Sequence, residues 1–134
     1  MRMDKKRVAY TALLSFLWAA TALPALADVK DYAFELVQSE VRKGADVDIA
    51  VRLLNKTTGK PVADATIIAT RIDMTPAGMP MMNEPIEASP GDDTGIYHFK
   101  TKLPMAGSWQ LSLAAKVQGE AGTVESKLIL KASP

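Results

Sequence analysis

From residue 32 onward, apolar and polar positions alternate with a period of two, the pattern of half-buried strands. The clearest stretch is 46–53, where Val47, Ile49, Val51 and Leu53 fall on one face and Asp48, Ala50 and Arg52 on the other. Residues 32–38 form a weaker candidate, and 64–72 a β-branched one ending A-T-I-I-A-T-R-I. Further on, 85–88 predicts a short strand and 95–102 reads G-I-Y-H-F-K-T-K. Residues 108–116 place Trp109, Leu111 and Leu113 on one face, and 122–131 closes the set through Val124, Leu128 and Leu130. Turn-forming runs separate these segments, N-K-T-T-G-K-P at 55–61 and S-P-G-D-D-T at 89–94. About seven short strands with no long 3.6-residue period predict an all-β domain, an immunoglobulin-like antiparallel β-sandwich. The D-x-G-x-Y run from Asp93 to Tyr97 fits a tyrosine corner, with Phe99 two residues later where an immunoglobulin domain places cysteine.

One stretch breaks the alternation. Residues 73–85 read D-M-T-P-A-G-M-P-M-M-N-E-P, and Pro76, Gly78, Pro80 and Pro85 argue against a helix or a central strand. The segment therefore reads as a loop, yet it carries Met74, Met79, Met81 and Met82 where polar side chains belong. Two readings stay open at this point. The methionines are adaptable filler closing one end of a small core, or they are ligands for a soft monovalent metal such as Cu(I), to which neutral, polarisable thioether sulfur is matched.

The N-terminus sets the compartment. Arg2, Lys5, Lys6 and Arg7 precede an uncharged apolar run from Val8 to Leu23, and Ala25-Leu26-Ala27 forms an A-x-A cleavage pattern. Residues 1–27 thus read as a Sec-type signal peptide and 28–134 as one exported domain, with a periplasmic location. An uncleaved membrane anchor is the alternative, disfavoured because the run falls short of the roughly 20 residues a spanning helix needs. Removing four of the 16 basic residues and one of the 15 acidic ones leaves 12 and 14, a net charge of about −2. Such a domain has no basic field for nucleic acid and no polybasic membrane contact once cleaved. The chain has no cysteine. Disulfides, thiolate metal sites and cysteine nucleophiles are excluded, so a soft-metal site must draw on methionine and on His98, the single histidine.

Strand direction gathers the methionines. If 64–72 runs towards the methionine loop and 85–88 leaves it, then 95–102 returns to the same pole, and the connection K-L-P-M-A-G at 102–107 places Met105 there. All five methionines beyond residue 27 then share one pole, which packing filler has little reason to do, and this tilts the reading towards metal. His98 lies between Tyr97 and Phe99, so it faces away from them, towards solvent and about 10 Å below the strand end. Asp73 and Glu84 flank the loop as solvated charges, hard donors poorly suited to Cu(I). No nucleophile elbow, histidine–carboxylate pair or phosphate-binding glycine loop is present, which points away from an enzyme.

The chain resembles the YtkA-like family, which includes the periplasmic part of FixH-type proteins. The resemblance is carried by P-V-A-D-A at 61–65, M-x-P-x-G-M-P-M-M at 74–82, G-I-Y at 95–97 and M-A-G-S-W-Q-L at 105–111. It implies an immunoglobulin-like sandwich and a setting in copper or heavy-metal handling, including efflux and the maturation of copper-containing oxidases. Met79, Met81, Met82 and Met105 are the positions it carries over. The expectation is a periplasmic Cu(I)-binding accessory protein or chaperone. The alternative is a metal-free interaction module that docks an efflux adaptor or an oxidase assembly component.

Overall fold

The structure, a computed structural model, describes residues 29–91 and 94–134. After a 3₁₀ turn at Val29–Asp31, ten strands follow among the described residues. They are β1 (Tyr32–Leu36), β2 (Glu40–Arg42), β3 (Gly44–Asn55), β4 (Lys60–Pro61), β5 (Ala65–Met74), β6 (Met79–Glu84), β7 (Ile86–Ser89), β8 (Ile96–Leu103), β9 (Gly107–Val117) and β10 (Val124–Ser133). One sheet has the order β1-β3-β8-β7, with β4 paired to the end of β3, and the other has the order β2-β10-β9-β5-β6. Among these residues no helix is long and apolar enough to cross a membrane. The expected signal peptide at 1–27, its cleavage site and Asp93 lie outside the described residues.

The two-layer sandwich matches the alternation, and the differences are local. β2, β4 and β6 are additional to the seven expected strands, being too short or too interrupted by proline for a period of two to register. Pairing is antiparallel except between β2 and β10, which run parallel, so the purely antiparallel expectation is corrected there. The chain leaves β1 in one sheet and steps across to the other for three residues. Backbone bonds from Lys131 N–H to Ser39 C=O (2.8 Å) and from Lys43 N–H to Ser133 C=O (2.8 Å) bracket the short parallel ladder.

The core lies between the sheets. Val47, Ile49, Val51 and Leu53 of β3 are buried as the alternation predicts, and so are Trp109, Leu111 and Leu113 of β9. Phe99 and Leu130 complete the same cluster. With no disulfide to assist, this burial is the main stabilising term, about 1.5–3 kcal/mol for each large aliphatic or aromatic side chain.

Tyr97 acts differently from the expected tyrosine corner. Its hydroxyl donates to Val62 C=O (2.7 Å) and accepts from Ala65 N–H (3.1 Å), 35 and 32 residues upstream. A tyrosine corner bonds only a few residues upstream, whereas here the ring ties β8 to the entry of β5. Gly95 makes this approach possible. Its φ of 81° lies in the left-handed region, and a Cβ at this position would collide with the Pro61 ring.

Candidate functional site

β5 ends in three consecutive buried residues, Ile72, Asp73 and Met74. Ile72 and Met74 belong to the core cluster. Asp73 points the opposite way by strand alternation, and it is still only 3% exposed because the following turn folds over it. One carboxylate oxygen accepts from Thr75 N–H (2.9 Å) and from the Thr75 hydroxyl, and the other accepts from Arg71 Nε (2.7 Å). A second arm of the Arg71 guanidinium donates to Pro80 C=O (3.1 Å). A carboxylate–guanidinium–carbonyl chain thus runs from β5 to β6. Burial alone would raise the Asp73 pKa, but the Thr75 and Arg71 bonds outweigh it and hold the carboxyl below its ordinary 3.8.

The segment expected to be an irregular loop is a hairpin. Thr75–Ala77 forms a single 3₁₀ turn with Pro76 near its start, and Gly78 closes it at φ 78°. Met79 then pairs with Met74, while the next paired positions are Asn83 with Asp73 and Glu84 with Ile72. Pro80, Met81 and Met82 therefore face no residue of β5 and form a bulge on an edge strand, where a proline costs no ladder bond. Reading the prolines as loop formers missed this because β6 has β5 as its one sheet neighbour. Asp73 and Glu84, expected as solvated charges, are buried and half-buried.

The thioethers divide among three environments. Met74 is 1% exposed and sits in the core at the end of β5, so its placement in the loop, and with it an accessible ligand role, is corrected. Met79 and Met82 are half-buried and pack against the core. Met81 is 88% exposed, with the Asn83 side-chain amide donating to its carbonyl at 3.3 Å. Met105, in the link between β8 and β9, is 40% exposed.

The link lies at the same end as the hairpin, as the strand directions predict. Gly107, two residues past Met105, has φ 138°, and a Cβ there would lie 3.0 Å from the Met74 methyl carbon. Trp109, fully buried, donates its indole N–H to Met105 C=O (3.0 Å), which anchors the link to the core. His98 stands apart, five residues from Leu103 and so about 16 Å away along the strand. It is half-buried rather than solvent-facing, because Gly91 folds so closely over the imidazole that a Cβ there would collide with it.

Among the described residues, no three His, Cys, Asp or Glu side chains gather as a metal site. The thioethers at this pole suit a soft ion and not a hard one. Arg71, which ties β5 to the Pro80 carbonyl, is the residue of this end that sequence reasoning missed. Its signal was the R-x-D spacing at 71–73, which puts both side chains on one face of a strand.

The YtkA-like family model matches residues 26–114, about two-thirds of the chain. No curated protein sequence matches the chain. Among solved structures it is similar to the Lin-41 filamin domain, with a TM-score of 0.46 at 14% identity, over 79% of this chain and 95% of that one. It is also similar to the ZirS C-terminal domain, with a TM-score of 0.45 at 11% identity, over 100% of this chain and 88% of that one. A third is the Escherichia coli adhesin FdeC, with a TM-score of 0.43 at 17% identity, over 78% of this chain and 32% of that longer one.

Proposed function

Since this chain belongs to the YtkA-like family of non-catalytic periplasmic accessory domains, we propose that it works as an interaction module whose methionine pole docks a larger partner. The observation that carries this reading is Met81, 88% exposed on a bulge that Arg71 pins to β5. A flexible, polarisable side chain adapts to a partner surface, and the fixed backbone beneath it leaves only the side chain to be ordered on binding. Met105 extends the apolar contact from the neighbouring link. The partner class is an efflux adaptor or an oxidase assembly component, with the domain acting after export and cleavage at Ala27.

A photo-crosslinking residue placed at position 81 in cells tests this directly. The expected result is one defined adduct that disappears when Met105→Glu is added, with none from position 129, an exposed site on β10. Equal adducts from both positions would sink the docking reading.

Cu(I) as cargo is the second reading, favoured by the accessibility of two thioethers, Met81 and Met105, at one pole. Met79 or Met82 would supply a third sulfur by turning outward from its half-buried position. Because no thioether titrates, affinity should vary little between about pH 5 and 8. Competition against a Cu(I) chelator, comparing wild type with Met105→Leu, separates the readings. A weakened variant supports cargo binding, and no binding in either protein leaves docking alone.

A further inference from the structure

We propose that Met81 is a site of selective, reversible oxidation, at which a peroxide-class oxidant converts the pole from apolar to polar. The geometry grades the methionines by access. Met81 is 88% exposed, Met105 40%, Met79 and Met82 are half-buried, and Met74 is 1% exposed beneath Gly107. Thioether oxidation needs an approach to the sulfur lone pair, so exposure controls its rate.

Met81 also sits where the change costs the fold nothing. It lies in the unpaired part of the bulge, whose hydrogen bonds go through backbone carbonyls, Pro80 C=O accepting from Arg71 and Met81 C=O from Asn83, and whose packing on the core goes through Met82. A sulfoxide at Met81 breaks none of them, whereas a sulfoxide at Met74 would put an unpaired polar oxygen into the core.

The chemistry balances with hydrogen peroxide as oxidant. A sulfur lone pair attacks one peroxide oxygen, the S–O bond forms as the O–O bond breaks, and the peroxide leaves as water after proton transfer. Sulfur is oxidised by two electrons and peroxide is reduced. A methionine sulfoxide reductase reverses the step with two thiols, returning the thioether, water and a disulfide. The consequence for docking rests on the reading of the pole as an apolar contact surface, but the site itself does not.

The test is a time course of peroxide treatment on the folded protein, read by peptide mass spectrometry across the five methionines beyond residue 29. Met81 should gain oxygen first and Met74 last, differing by about tenfold or more as exposure control requires. In urea the difference should collapse, and Met81→Leu should delete the first event without speeding the others. The singly oxidised protein should elute earlier from a hydrophobic-interaction column at an unchanged Tm, and treatment with two methionine sulfoxide reductases, one for each sulfoxide epimer, should restore its retention. Comparable rates at Met81 and Met74 in the folded protein, or first reaction at Met79 or Met82, would overturn the proposal. Retention that the reductases fail to restore would overturn its reversibility. A failed crosslink at position 81 would remove the docking reading and leave this oxidation order standing.

Discussion

Where β5 begins, Tyr97 spends its hydroxyl on Val62 and Ala65, and Gly95 lies flat against Pro61. Where β5 stops, about 30 Å away for ten residues at 3.3 Å each, the arrangement is inverted. There the polar side chains of Asp73 and Arg71, with the indole of Trp109, are engaged in holding backbone, and the apolar thioethers of Met81 and Met105 are left outside. The four motifs that carry the family resemblance sort into these two ends. P-V-A-D-A meets G-I-Y at the first, and the methionine run meets M-A-G-S-W at the second. One end closes the sandwich, and the other uses the same kind of closure to display a surface.

Breaking the anchor of the display end should have the largest effect. Trp109→Ala removes a fully buried aromatic and the indole donor to Met105 C=O, with an expected loss of about 3–5 kcal/mol in urea titration. A loss under about 1 kcal/mol would mean that the indole is not integral to the core. At the other end, Gly95→Ala puts a Cβ into Pro61 at a φ that alanine disfavours, with an expected loss of about 1–3 kcal/mol. This loss should leave crosslinking from position 81 unchanged, because the substitution sits at the far end of β5. A variant that lost both together would show that the two ends are not independent.

The strands that run between the two ends were more legible in sequence than the contacts at either end, and the reason is physical. Val47 to Leu53 and Trp109 to Leu113 alternate because each strand has one buried and one open face, so burial is written directly into residue type. The display end obeys other rules. Met74 looks like its neighbours in composition, yet it is core, because only the register with Met79 and the contact with Gly107 decide its side. Pro80 reads as a strand breaker until the edge position of β6 is known. The long-range bonds of Tyr97 and the reach of Arg71 to Pro80 join residues whose pairing depends on topology, which local pattern does not encode. Met105 could be placed because its position followed from strand direction alone.

Acid should loosen the display end before the closing end. The Asp73 carboxyl is held below 3.8 in the folded protein, so its contribution is fully present above the unfolded value and is lost as pH falls through the folded one. Asp73→Asn should therefore be less stable than wild type above about pH 5, with the gap narrowing below about pH 4 as the wild-type carboxylate protonates. Thermal unfolding of both proteins across this range measures the gap. Parallel curves would show that the carboxylate charge does not hold the turn.

The smallest expected effect is the one that separates display from structure. Met81→Gln keeps the length of the side chain and its unbranched stem, and replaces the thioether with an amide that water solvates readily. At 88% exposure in an unpaired bulge, the side chain buries little apolar area. The change in stability should stay within about 0.5 kcal/mol, as for surface substitutions away from structural features. Docking should respond in the opposite sense, because the substituted amide must be desolvated at an apolar contact. A crosslinking residue at position 105 reads this in the Met81→Gln background, where the adduct should weaken while urea titration stays near wild type. A loss of stability beyond about 1 kcal/mol would instead make Met81 part of the frame, with the bulge packed on the side chain and not on its carbonyls.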